Sequence, residues 1–129
     1  MTWVRTRTSN FVCLAAIVSL VLICALPGVS SGHAFPDHSE PRVGSTIPNP
    51  PSTVRIWFDG DIEPAFSTVS VRSMDGKIVD KGDGHVDSKD KTLLEVSVHP
   101  LAPGPYLVIW NVVARDGHRT AGKYTFTVK

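Results

Sequence analysis

From residue 54 onward the apolar residues of this chain recur at every second position in short runs, a period that fits β-strand and little else. Val54, Ile56 and Phe58 alternate with Arg55 and Trp57, and Val69 and Val71 with Ser70 and Arg72. Leu94, Val96 and Val98 alternate with Glu95 and Ser97, and Tyr124, Phe126 and Val128 with Lys123, Thr125 and Thr127. Residues 106–113 are apolar on both faces except for Asn111, which predicts a central strand. Between the runs stand Pro48-Asn-Pro-Pro51, Asp75-Gly76, Gly82-Asp-Gly84, Pro103-Gly104 and Asp116-Gly117, all turn chemistry. The reading is all-β: an immunoglobulin-like sandwich or barrel with Greek-key links, cupredoxin-like in outline. The segment 101–106, with Tyr106 after Pro-Gly-Pro, matches a tyrosine corner, in which the phenol ties a crossing between sheets to nearby backbone.

The first 32 residues have a different character. Arg5 and Arg7 precede a run at 11–26 that is apolar except for Ser19, and small residues follow at Ser30, Ser31 and Gly32. This is the pattern of a secretory signal peptide cleaved before His33. Sixteen residues fall short of the roughly 20 that a spanning helix needs. Ile23 stands where lipoprotein processing at Cys24 would want a small residue. Removing 32 of 129 residues leaves 97, the size of one domain. Both cysteines, Cys13 and Cys24, leave with the signal, so the exported domain has neither disulfides nor thiolate metal sites. Eleven basic residues then face twelve acidic ones, a near-neutral balance that points to no nucleic-acid partner.

Cleavage there gives His33 an α-amine beside its imidazole, two nitrogens able to close one chelate ring on a metal. Asp116-Gly117-His118 follows the central run. On extended backbone the carboxylate and imidazole of Asp116 and His118 would project to one side. With His33 the set is three nitrogens and one oxygen, with no sulfur, which suits tetragonal Cu(II). Zinc accepts the same atoms tetrahedrally. The other histidines read as surface: His38 turned out by Pro36 and Asp37, His85 in a loop, His99 at a strand end.

The ordered set of local features resembles the CopC family of periplasmic copper-resistance proteins. The matching pieces are His33-Ala34, Ser39-Glu-Pro41 with Gly44-Ser45, residues 54–58, and Glu63-Pro-Ala-Phe-Ser67. Leu101 with Pro103-Gly104 and Tyr106, Trp110, Asp116-Gly-His118, and Gly122 with Phe126 and Val128 complete them. The resemblance implies a non-catalytic exported protein of the periplasm, with residues 33–129 as a copper-binding domain. It implies one Cu(II) per chain on His33, Asp116 and His118, a monomer, and a CopD-type membrane copper transporter as partner. Two departures stand out. A glutamate that family members often carry after the first apolar run falls here on Gly60, between Asp59 and Asp61. The methionine-rich loop of some members is absent: Met74 is the only methionine after residue 32, so soft ligands for Cu(I) are lacking. Two rival functions use the same residues differently. A histidine-brace monooxygenase would need an extended substrate face that 97 residues hardly supply, and a metal-free immunoglobulin-like module would need no cluster at all.

Overall fold

The structure, a computed structural model, describes residues 33–129. The proposed signal peptide, 1–32, lies outside the described residues. Eight strands form two four-stranded sheets: β1 (Pro36–Glu40), β2 (Thr46–Ile47), β3 (Thr53–Phe58), β4 (Thr68–Ser73), β5 (His85–Val86), β6 (Leu93–Ser97), β7 (Gly104–Val113) and β8 (Arg119–Val128). One sheet has the order β1-β3-β6-β5, the other β2-β8-β7-β4. The chain passes repeatedly from one sheet to the other, and the two stay separate, so the architecture is a sandwich rather than a closed barrel.

The alternation seen in sequence becomes the core. Val54, Ile56 and Phe58 of β3, Leu94 and Val96 of β6, and Val69 and Val71 of β4 all point inward and are buried. Val108, Trp110, Val112, Tyr124, Phe126 and Val128 meet them from β7 and β8. Each such Val, Leu, Ile or Phe side chain removed from water contributes about 1.5–3 kcal/mol before conformational entropy is counted. Strand β7 is central, paired with β4 on one side and β8 on the other. Its second apolar face is not covered by another layer: Leu107 and Ile109 are only half-buried and Asn111 is exposed.

The tyrosine corner forms, with the Tyr106 hydroxyl donating to the Ala102 carbonyl at 2.6 Å. Strand β8 has glycine at 122 for a steric reason. It faces Trp110 across the β7–β8 ladder, and a Cβ there would come within 2.6 Å of the indole. Trp110 in turn packs edge-on against Phe58, with ring centroids 5.3 Å apart. The indole at 110 is therefore a core group, as its position in the run suggests, whereas Trp57 lies on the outer face of β3 with the His38 ring stacked on it at 4.5 Å. His38 is thus exposed as the sequence suggests, and it also covers the indole.

Tyr124 carries a pH consequence. Its hydroxyl is enclosed and makes no well-formed hydrogen bond among the described residues. Burial pushes the phenol up from 10.0 to about 12, with a smaller lowering contribution from the Ser39 hydroxyl. A folded pKa above the unfolded one means stability is intact below pH ~10 and falls as pH rises towards 12, by up to about 3 kcal/mol. Replacing Tyr124 by Phe removes that part of the alkaline slope. Urea denaturation of both proteins between pH 8 and 12 measures it, and parallel slopes would show that the phenol is not the cause.

Candidate metal centre

His33 lies three residues before β1, and Asp116 and His118 lie in the turn between β7 and β8. The site therefore sits at one end of the sandwich, where the two sheets approach. A donor atom from each of His33, Asp116 and His118 lies within 4.8 Å of the other two. The rings of His33 and His118 stand 4.3 Å apart, tilted by 51°. Nitrogen ligands bind such ions at about 2.0 Å, so two opposite donors end roughly 4 Å apart. Closing from the observed spread asks for side-chain adjustment, not refolding.

Asp116 and His118 converge for a reason other than extended backbone. Gly117 has φ of +89°, and the Ala114 N–H donates to the His118 carbonyl while the Gly117 N–H donates to that of Ala114, both at 2.8 Å. This is a tight hairpin turn. The Asp116 side chain folds back inside it: Oδ1 accepts the His118 backbone N–H at 3.0 Å, and Oδ2 lies 2.8 Å from His118 Nδ1. An aspartate hydrogen-bonded to backbone two residues on is the usual means by which such turns are set. The base of the turn is anchored to the segment after β3, through Glu63 N–H to Val113 at 2.7 Å and Arg115 N–H to Asp61 at 3.1 Å.

The backbone N–H of His118, then its side chain, hold the Asp116 carboxyl below the usual carboxylate range; the charges of the two imidazoles act the same way and desolvation opposes them. The turn is open to solvent. The His118 side chain is 61% exposed, Asp116 less so, and His33 is half-buried.

The other residues singled out in the sequence lie apart from the cluster. His85 is on β5, the edge strand, with Nε2 3.3 Å from Glu95. Met74 and His99 line an open groove of about 600 Å³ beside the start of β7, at the opposite end of the sandwich from the turn that follows β7. Met74 is exposed. Gly60, on the family's glutamate position, is beside residue 33, and an added Cβ would lie 3.9 Å from the His33 carbonyl oxygen. Neither neighbouring aspartate belongs to the cluster. Asp61 is 3.8 Å from Arg115, and Asp59 accepts the Phe35 N–H at 2.7 Å.

Asp59 and Thr120 are the contacts that sequence reasoning did not find in this role. The Thr120 hydroxyl donates to the Ala34 carbonyl at 2.7 Å. A threonine within an alternating strand gives no sequence signal of such a bond. Asp59 stands out in sequence only as a neighbour of Gly60.

Known proteins agree with this architecture. Over 98 residues the chain is 31% identical to Protein YobA of Escherichia coli K12, covering 75% of this chain and 79% of that protein. It superposes on CopC from Methylosinus trichosporium OB3b with a TM-score of 0.67 and 33% identity, over 75% of this chain and 94% of that one. PcoC of Escherichia coli, described as a methionine-rich copper resistance protein, gives a TM-score of 0.64 at 27% identity, over 75% and 99%. Residues 37–129 match the profile of the CopC domain, and the chain belongs to the CopC family.

Proposed function

We propose that this protein is exported to the periplasm by cleavage before His33, binds one Cu(II) there, and serves copper homeostasis. It either sequesters the ion or passes it to a CopD-type membrane transporter. The ligands are the amine and imidazole of His33, the His118 imidazole and the Asp116 carboxylate. The observation that carries this reading is the convergence of His33 with Asp116 and His118, which are more than eighty residues apart in sequence. The donor set has nitrogen and oxygen and no sulfur, and divalent affinity for such sites peaks at copper. Relatives described as copper-resistance proteins point the same way.

The site's position suits a carrier. His118 is exposed on a turn, where ligands of a membrane partner can reach the metal and exchange with it one at a time. The Asp116 oxygen takes a coordination position that oxygen chemistry would need open, which favours binding over catalysis. The one methionine or cysteine among the described residues, Met74, is at the far end of the sandwich, so the site holds the oxidised ion in preference to Cu(I).

The test is a competition titration of the protein beginning at His33 with Cu(II) at several pH values, and with Cu(I) under anaerobic conditions. One equivalent of Cu(II) is expected. Affinity is expected to fall between about pH 7 and 5, because imidazole and amine nitrogens must release protons to bind. Asp116, held below the usual carboxylate range, stays ionised through that window. Affinity that is flat across it would indicate a site made of carboxylates. Tight Cu(I) binding that survives loss of His118 would reveal a second site and overturn the Cu(II)-only reading.

A further inference from the structure

We propose that Asp59 and Thr120 are positioning residues that hold the segment 33–35 against the sandwich, so that His33 stands over the β7–β8 turn before any metal arrives. The inference rests on the ligand assignment proposed above.

The regular ladder does not do this work. Pairing of β1 with β3 begins only at Pro36 opposite Phe58, and its register shifts between Pro36 and His38. Proline at 36 has no N–H to give. The three residues before it would be an ordinary fraying terminus without other contacts. Instead the segment is bonded from both sheets. At the end of β3, Asp59 closes a two-bond ring on Phe35: its Oδ1 accepts the Phe35 N–H at 2.7 Å, and its own N–H donates to the Phe35 carbonyl at 2.9 Å. From β8, Thr120 donates to the Ala34 carbonyl at 2.7 Å. The Ala34 side chain between these bonds is completely buried.

The consequence is preorganisation. A terminal histidine loose in solvent loses backbone freedom when it closes on a metal, and that loss subtracts from affinity. With residues 34 and 35 already fixed, less backbone freedom is left to lose when His33 closes on a metal. Asp59 is not counted among the ligands here, because it lies outside the His33–Asp116–His118 cluster and its carboxylate accepts the Phe35 N–H.

The experiment compares Asp59→Ala, Asp59→Asn, Thr120→Val and, as control, Asp61→Asn, all beginning at His33. Each is assayed for Cu(II) affinity, for release to excess chelator and by electron paramagnetic resonance. Asp59→Ala and Thr120→Val should each bind about three- to tenfold more weakly and release faster, the effect of one hydrogen bond. Their spectra should match the parent, since the donor atoms are unchanged. Asp59→Asn should recover the parent affinity, because an amide oxygen accepts the same N–H. Asp61→Asn should bind as the parent does.

Parent-like affinity in Asp59→Ala and Thr120→Val would overturn the proposal. So would an altered spectrum in Asp59→Ala, which would make Asp59 a ligand, or an Asp59→Asn variant as weak as the alanine one, which would make charge the cause. Melting curves separate a loss of fold from a loss of positioning, and Thr120→Val is close in shape to the parent residue. His118→Ala is run alongside. If it retains full affinity, the ligand assignment fails and the positioning role falls with it. If it loses copper while the clamp variants do not, only the positioning role fails.

Discussion

On the proposed ligand set, adding a single alanine before His33 should lower Cu(II) affinity roughly a hundredfold or more. Binding free energies of four-ligand structural metal sites are about 10–16 kcal/mol, so one strong donor accounts for around 3 kcal/mol, which is about a hundredfold. Extension converts the α-amine to an amide. One nitrogen donor is lost, and with it the chelate ring that the amine closes with the imidazole of the same residue. Nothing else in the site changes, because residues 34 and 35 keep their bonds to Asp59 and Thr120. The extended protein should fold with the same melting temperature in the absence of metal. It should also show a smaller metal-induced rise in that temperature, since the stabilisation a ligand gives the folded state grows with the logarithm of its concentration over its dissociation constant. Intact-mass measurement of the exported protein gives its first residue. An extended variant that binds as tightly as the native one would refute the amine's role, and the imidazoles and carboxylate would then have to account for binding alone.

Different parts of this molecule were legible in sequence to different degrees, for physical reasons. The inward faces of β3, β4, β6 and β8 follow from period two, because a strand with one face on a core has no freedom in which residues it buries. The corner at Tyr106 followed from the Pro-Gly-Pro segment before it. The two-residue strands β2 and β5 are too short for any period to register, and β2 pairs in parallel with β8, a partner some eighty residues away. The run at 106–113 pointed to a central strand, and β7 is one, paired on both sides; its outer face, with Leu107 and Ile109 half-buried, has no third layer over it among the described residues. In the cluster of His33, Asp116 and His118 the residue types were legible and the geometry was not. The Asp-x-His spacing announced a carboxylate and an imidazole close together, and the turn at Gly117 rather than an extended strand brings them there. The bonds from Asp59 and Thr120 span 24 and 86 residues, so only the folded chain reveals them.

If His118 is a ligand as proposed, His118→Ala removes a donor that water cannot match, and Cu(II) affinity should fall roughly a hundredfold. Asp116→Ala costs less, about tenfold, because water is an oxygen donor and can occupy the vacated position. The aspartate, however, has a second task. Its Oδ1 accepts the His118 N–H, and its Oδ2 is hydrogen-bonded to the ring of His118, so the alanine variant also loosens the turn that aims the imidazole. Asp116→Asn separates the two. An amide oxygen still accepts the backbone N–H and keeps the turn, while the anionic donor is gone. Asparagine should therefore bind more tightly than alanine at 116 and more weakly than the parent. A competition titration of the three variants, with circular dichroism to verify the fold, reads the order directly. Asparagine equal to the parent would make Asp116 a turn residue with no ligand role. Asparagine equal to alanine would make it a ligand whose hydrogen bonds to His118 contribute nothing. The intermediate result requires that one carboxylate both shape the β7–β8 turn and bind the metal.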